Sequence, residues 1–430
     1  VYVLYNLLLF LAFPFIITYH VYRSVKRKRP IALKKRLGFI DKSLLESLNG
    51  VRPILVHAVS VGETIAVKPL LTTIKKDFPN TPLMLSNMTE TGHSVAQTIK
   101  DIDLSLYFPF DFCFAVKSFL KKINPKVIIV METELWPNFL KQSDKMGIPV
   151  LIVNGRISDN SFRQYMRFRK VFSKVLNNVT RFCMQSGEDA ERIKAIGALP
   201  EKVVVTRNLK YDIPLVNIDD KCREEIRVQY RIPTAIPLFT AASTHEGEEE
   251  VVLKAFSDIL NQVKDVVLVL VPRHPERCGA VAELIQKSGF KFVRRSKIDN
   301  SMPALQPGEI LLLDTVGELL TCYSISDVVF VGGSLVPNGG HNLLEPAACG
   351  IPVLFGPYMD NFREITDLAV EYNAAEKIYN KDDMVKHVVE LLNDSEKRKV
   401  IGERGKKLLQ EQGGATVLNM KIIAEVIGNE

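Results

Sequence analysis

Glu63 closes the stretch His57 to Glu63, HAVSVGE, where an apolar run gives way to helical sequence. Gly62 permits a tight turn there, and Ser60 or Thr64 can cap the helix. Two readings of Glu63 stand side by side: a capping-box acid that serves only the helix start, or a general base at a strand-to-helix turn. In METELWPN, Glu132 and Glu134 flank Thr133. In extended backbone both carboxylates would point to one side. Such a pair suits a hydroxyl-rich or cationic ligand, or an ion pair with Arg156 of VNGR. A third set lies later in the chain. VPRHPER carries Arg273 and His274, DTVGELL carries Val316, Gly317 and Glu318, and GGSLVPNGGHNLLEPAACGIPVLFGP is a glycine-rich loop expected to enter a helix at Leu343. Backbone N–H groups at such helix starts bind phosphate, Arg neutralises it, and a Glu one turn in accepts ribose hydroxyls. These three loops point to a nucleotide. They match neither the Walker A loop nor G-x-G-x-x-G, which disfavours an ATPase or a dehydrogenase. His274 and His341 read equally well as satisfied loop histidines, no two histidines have metal-ligand spacing, and no metal site is expected.

Each of these motifs follows a short apolar run, and the runs alternate with helix-length polar segments. PILVHAVSV, PLMLSNMT, KVIIVMETE, PVLIVNGR, CMQSG and KVVVTRNL form one series. IPLFTAAS, VVLVLVPRH, KFVRRS, EILLLDT, SDVVFVGGS and PVLFGP form a second. This rhythm predicts βαβ units, mostly parallel sheets and two Rossmann-like halves joined near residues 211–222. In such folds the chemistry sits beyond the carboxyl ends of the strands, in the crevice between halves. The tail from about Asp382 has helical periodicity and should pack on one of the domains.

The chain of 430 residues carries a net charge of +7, yet residues 21–36 alone hold eight Lys and Arg and no acid (Arg23, Lys26, Arg27, Lys28, Arg29, Lys34, Lys35, Arg36), so the rest is close to neutral. A nucleic-acid-binding body is therefore not expected. Directly before this block, residues 1–19 contain no charge and sixteen hydrophobic residues. That run is long enough to cross or deeply enter a bilayer, and the basic block behind it would keep the downstream chain cytoplasmic, near anionic headgroups. Pro14 and the aromatic content leave a tilted or half-inserted helix open. The six cysteines stand singly and read as small buried hydrophobes without disulfides or zinc.

Taken together, HAVSVGET, METELWPN, NGR, NLKYD, STHEGEEE, VPRHPER, DTVGEL, VGGSL and GGHN-x-LEP-A-x-x-x-PVLFGP-x-x-x-NF resemble the 3-deoxy-D-manno-octulosonic acid (Kdo) transferases of lipopolysaccharide synthesis, in order and over nearly the whole chain. The resemblance implies an α/β, GT-B glycosyltransferase with two Rossmann-like domains facing a cleft and an N-terminal membrane-anchor helix. Residues 1–22 would be the anchor, 23–49 a basic collar, 50–210 the acceptor domain, 211–222 a linker, and 223–430 the nucleotide-sugar domain with the terminal helices. It implies inverting transfer of Kdo from CMP-Kdo to a lipid A precursor at the cytoplasmic face of the inner membrane, without a further cofactor. It also implies that Glu63 is the proton acceptor, that Glu132 and Lys210 stabilise the transition state, and that CMP lies on Pro272, Arg273, Val316, Gly317, Glu318, Asn342, Leu343, Leu344 and Glu345. Two positions depart from the pattern: Arg207 stands where a Gly is expected, and Gly155 where Ala is commoner. UDP-sugar 2-epimerases share the two-domain architecture, and a catalytically silent nucleotide-sugar sensor would share it too; the anchor and the joint presence of Glu63, Glu132 and Lys210 favour the transferase.

Overall fold

A computed structural model describes residues 2–27, 32–46, 48, 50–299 and 301–428. The apolar runs form two all-parallel sheets. The first contains β1 (Ile54–Ala58), β2 (Leu83–Asn87), β3 (Leu104–Tyr107), β4 (Val127–Met131), β5 (Val150–Gly155), β6 (Arg181–Met184) and β7 (Val203–Val205), in the order β3-β2-β1-β4-β5-β6-β7. Residues alternate between two cores, as strand geometry requires: Leu55, Ile128 and Val130 join Phe139 and Phe182 on one face, while Ile54, Val56 and Ile129 join Leu70 and Ile74 on the other.

The second sheet contains β8 (Leu238–Thr244), β9 (Val267–Pro272), β10 (Phe292–Arg294), β11 (Ile310–Leu312), β12 (Val328–Val331), β13 (Val353–Phe355) and β14 (Ala375–Lys377), in the order β10-β11-β9-β8-β12-β13-β14. Strands β3 and β14 escape the pattern of apolar runs because each is short and lies at a sheet edge, where one flank needs no partner. The connections reverse between β1 and β4 in one sheet and between β8 and β12 in the other. Ligands of open parallel sheets bind at such reversals.

The chain divides into two units, residues 1–212 with 413–430, and residues 213–412. This corrects the expected extent of the second domain, which was to hold all the terminal helices. The helix Ala415–Gly428 belongs to the first unit, where Ile422, Ile423 and Ile427 join Leu70, Leu71 and Ile74. Asp212 fixes its start by accepting hydrogen bonds from Gly414 N (2.6 Å), Ala415 N (3.2 Å) and Thr416 N.

The helix Tyr2–Arg27 contains, over Tyr2–Tyr19, a stretch long and apolar enough to cross a membrane. One side of it is engaged with the first unit. Leu9, Phe13 and Ile16 pack on Phe110, Phe112 and Ala115. Tyr5 Oη donates to Asp111 Oδ2 at 2.8 Å, and the Asn6 and Asn138 amides exchange hydrogen bonds at 3.1 and 2.8 Å. Val3, Leu7, Phe10, Leu11 and Phe15 face outward and are exposed. In the basic segment, Lys34 and Lys35 are exposed, whereas Arg36 is 3% exposed, donates to Met88 O at 2.6 Å and lies over the Tyr107 and Phe110 rings. Arg36 is thus a core cation and not a headgroup contact; Lys28 and Arg29 lie outside the described residues. The cysteines are all free, with Cys183, Cys278 and Cys322 buried as expected, Cys222 and Cys349 half-buried and Cys113 exposed.

Candidate functional site

Glu63 follows β1 and Glu132 follows β4, the two adjacent strands at the reversal of the first sheet. Ser60 caps the helix Val61–Ala66 and forms the full capping box with Glu63. Glu63 Oε2 accepts from Val59 N at 2.8 Å, and Oε1 accepts from Ser60 N at 3.2 Å and Ser60 Oγ at 2.8 Å. Glu63 as a whole residue is 8% exposed. Burial raises its pKa above the usual carboxylate range, the Glu132 charge pushes the same way, and the hydrogen bonds oppose both. The capping and basic readings are therefore compatible: the cap fixes the carboxylate, and burial makes it more basic. His57, by contrast, is a core residue. It stacks on Phe108 at 3.7 Å, and burial pulls its pKa down to about 3.

Glu132 does not have the extended backbone on which a shared direction with Glu134 was expected. Its φ is +56°, in the left-handed region that non-glycine residues avoid. The carboxylates nevertheless gather, because Glu134 feels both Glu63 and Glu132. Burial first, and then those two charges, push Glu134 up to about 7. No ion pair joins Arg156 to Glu132 or Glu134 among the described residues. Instead Thr133 Oγ1 donates to Arg156 O at 2.6 Å and accepts from Arg156 N at 3.0 Å. Glu132, Glu134, Trp136, Arg156, Ser158 and Tyr165 line an open pocket of about 430 Å³.

Lys210 lies in a short turn, Leu209–Tyr211, beyond β7. Asn154 at the end of β5 fixes this turn: its Oδ1 accepts from Leu209 N at 2.9 Å, its backbone φ is +58°, and β5 is irregular against β6 there. Lys210 N donates to Asn208 Oδ1 at 3.0 Å, and among the described residues the Lys210 ammonium has no carboxylate partner. Arg207 explains the glycine expected at its position, for its φ is +65°. Its guanidinium donates to Gly413 O at 2.7 Å, a bond that glycine could not make. Gly155 has a packing reason, since a Cβ there would lie 2.6 Å from Met184 Sδ.

In the second unit, Arg273 follows β9 and is exposed. Its backbone N–H donates to Thr244 O at 3.0 Å, which holds the loop against the end of β8. Pro272, Leu343 and Leu344 are buried, so at these positions only the backbone is available to a ligand. Asn342 Oδ1 accepts from Leu344 N at 3.1 Å, and Asn342 Nδ2 approaches Glu345 Oε1 at 3.4 Å. Burial raises the Glu345 pKa, against the Asn342 bond and the Arg273 charge. After β11, Val316 and Gly317 are exposed, while Glu318 pairs with Arg295 at 2.8 Å and accepts from Tyr230 Oη at 3.1 Å and from Thr315. Burial would raise the Glu318 pKa, but these bonds and the Arg295 charge hold it low.

The glycine-rich loop departs from expectation. Its helix spans only Leu344–Ala348, too short to present a sizeable dipole. The N–H groups of Gly333, Ser334 and Leu335 are also taken, donating to the buried Glu248 carboxylate at 2.7, 2.9 and 2.8 Å. Glu248 is the residue that sequence reasoning missed. Its only signal was a first-turn acid in STHEGEEE, which reads as an ordinary helix-start charge. The same sequence hid His245, whose Nε2 meets His341 Nε2 at 2.9 Å.

Comparison with known proteins adds to this geometry. A family model described as 3-deoxy-D-manno-octulosonic-acid transferase (kdotransferase) matches residues 32–213, and one described as glycosyl transferases group 1 matches residues 223–408. A 3-deoxy-D-manno-octulosonic acid transferase of Haemophilus influenzae is 36% identical over 417 residues, covering 96% of this chain and 95% of its own. A glycosyltransferase structure from Rickettsia africae superposes with a TM-score of 0.57 at 15% identity, covering 89% of this chain and 100% of that one. A UDP-GlcNAc 2-epimerase from Neisseria meningitidis does so with a TM-score of 0.57 at 12% identity, covering 88% and 100%. The two superpositions speak for the GT-B-like fold alone, which transferase and epimerase share.

Proposed function

The chain belongs to the 3-deoxy-D-manno-octulosonic acid transferase family and is a glycosyltransferase; from that premise we propose that it moves Kdo from CMP-Kdo to a lipid A precursor, with inversion at the anomeric carbon, in lipopolysaccharide synthesis. The observation that carries the reading is Glu63: a buried carboxylate of raised pKa, fixed by its own helix cap, beside Glu132 at the reversal of the first sheet.

Glu63 takes the proton from the acceptor hydroxyl as its oxygen bonds to the anomeric carbon, while the bond from that carbon to the phosphate oxygen breaks and CMP departs. One base suffices, because inversion needs no covalent enzyme intermediate. Glu132 stabilises positive charge developing on the sugar, and the Lys210 ammonium offsets negative charge on the departing phosphate. CMP lies on Arg273, on the exposed turn Val316 to Glu318, and on Asn342 to Glu345, with Pro272, Leu343 and Leu344 contributing backbone only. No metal or further cofactor enters the reading.

The same reading puts the enzyme at the cytoplasmic face of the inner membrane. The exposed apolar side of Tyr2–Arg27 would face lipid, and Lys34 and Lys35 would meet anionic headgroups. Incubation of the full chain with CMP-Kdo and a tetraacylated lipid A precursor, followed by mass spectrometry, tests the function. A product heavier by one or more Kdo residues supports it; an unmodified acceptor, under conditions where the Haemophilus relative is active, overturns it.

A further inference from the structure

In the second unit, the backbone is bent on both sides of one ring pair. Ser243 takes a φ of +55° where β8 is irregular against β9, and this turns His245 toward the loop after β12. Gly339 and Gly340, with φ of +84° and +75°, fold that loop back, and Gly340 N donates to Gly333 O at 2.8 Å. His341 thereby meets His245 edge to edge, with ring centroids 5.2 Å apart, an interplanar angle of 8° and the two Nε2 atoms 2.9 Å apart. His274 stands edge-on to His245 at 5.7 Å. A Cβ on Gly333 would come within 3.0 Å of the His341 ring and 3.4 Å of the His245 ring, so the glycine makes room for both.

The frame beneath the rings is rigid. Glu248, fully buried, accepts from His245 N at 2.9 Å as well as from Gly333, Ser334 and Leu335. Glu249 is spent on Thr244 and on Arg277, at 3.0 and 2.7 Å. The groups that act on the rings are therefore Arg273, Arg277 and His274, which disfavour a further proton, and Glu248 and Glu249, which favour one at His245. Burial outweighs the carboxylates: it lowers the His245 pKa, and with Arg273 and the neighbouring rings it brings His341 to about 4. The pair is neutral at pH 7. Two neutral rings at this distance share a single Nε2 proton, one donating and one accepting, which leaves a bare Nδ1 on the donating ring. Among the described residues Arg273 makes no salt bridge, although its charge is felt by the Glu345 carboxylate, so two rings and one cation border the same spot.

We propose that His245 and His341 form one proton-holding pair for the phosphate of the bound nucleotide. When that phosphate settles beside Arg273, its charge draws a proton from water onto the bare Nδ1, and the resulting cation, spread across the Nε2 contact, stabilises the phosphate as it leaves the sugar. The proton returns to water when the nucleotide departs, and no bond other than N–H is made or broken on the protein. This proposal rests on the reading that the second unit holds CMP.

Calorimetric titration of the full chain with CMP, in buffers of differing ionisation enthalpy at pH 7 to 8.5, measures the proton. In that range the CMP phosphate is already a dianion, since its second pKa is about 6. Uptake of about one proton per CMP is expected, with affinity falling about tenfold per pH unit. Cytidine, which has no phosphate, should bring none. His341→Gln and His245→Gln should each still bind CMP but lose the uptake and flatten the pH profile. CMP binding without proton exchange in the wild type, or uptake that persists in both variants, overturns the pair. Should both variants fail to fold, the wild-type slope and the cytidine control decide alone. Failure of the wild type to bind CMP at all overturns the nucleotide reading, and the pair with it.

Discussion

Glu63→Gln separates the helix cap from the chemistry. Both carboxylate oxygens of Glu63 are in use, one by Val59 N at 2.8 Å and the other by Ser60 N at 3.2 Å and Ser60 Oγ at 2.8 Å. An amide keeps one acceptor. With its oxygen toward Val59, its NH₂ faces Ser60, whose hydroxyl can turn to accept, but the Ser60 N–H loses its partner. One stranded donor of this kind costs about 1–2 kcal/mol. Relief from burying a charge offsets part of that, so a net loss of about 1 kcal/mol is expected, or about 2–4 °C in melting temperature for a unit of this size. If Glu63 is the base, turnover should fall by about 10²–10⁴ while CMP affinity holds. The wild-type rate should also climb with pH through a midpoint above the ordinary Glu value of 4.5, because the base works ionised and burial raises its pKa. That limb should be missing from the residual activity of the variant. Initial rates and melting curves on one preparation settle the matter. A variant that melts a few degrees lower with near-native turnover would refute the reasoning, reduce Glu63 to a cap and pass the role to Glu132.

Glu134 is raised to about 7, so its contribution to stability is present below about 4.5 and is lost as pH rises through 7; melting curves should show Glu134→Gln more stable than the wild type at pH 8 and nearly equal to it at pH 4. Arg207→Ala keeps the left-handed φ of +65° and loses the bond to Gly413, whereas Arg207→Gly loses the bond but removes the strain, so denaturant titration should find the Gly variant about 1 kcal/mol more stable than the Ala variant. Removal of residues 1–27 uncovers Phe110 and Phe112 and takes Tyr5 from Asp111, so the truncated protein should melt several degrees lower, besides sedimenting less with anionic vesicles; an unchanged melting temperature would show that the helix merely rests on the unit. Arg273→Ala and Glu345→Ala should each weaken CMP binding in calorimetry by about 1.5–3 kcal/mol, and unaltered affinity in folded variants would place the nucleotide elsewhere.

Much of the scaffold was legible because burial in a parallel sheet demands uninterrupted apolar runs, and those runs mark β1, β2, β4, β5, β8, β9 and β12 directly in the sequence. The reversal points were legible only indirectly, through motifs that cluster behind those strands. The edge strands β3 and β14 were not, since a strand of three or four residues with one open flank needs no distinctive composition. The last helix was periodic enough to be seen but carried no mark of where it packs. Asp212, 202 residues from Gly414, decides that by capping it.

Glu63 shows the boundary most clearly. Its spacing from Ser60 determined a capping box, because cap geometry is local and spans three residues. Its basicity depends on burial and on the Glu132 charge, which arrives only when β4 lies beside β1. Left-handed backbone at Glu132, Asn154 and Ser243 was likewise invisible, since none is glycine, and at Arg207 only the glycine expected there hinted at it. The sequence by itself determined the family, the two sheets and the motif loops, because residue type, order and short-range period specify those. Only the tertiary structure decided that Glu248 consumes the glycine-loop N–H groups and that His245 meets His341 across 96 residues. Hydrogen-bond partnership and desolvation are properties of the packed neighbourhood, and no local stretch of chain contains that neighbourhood.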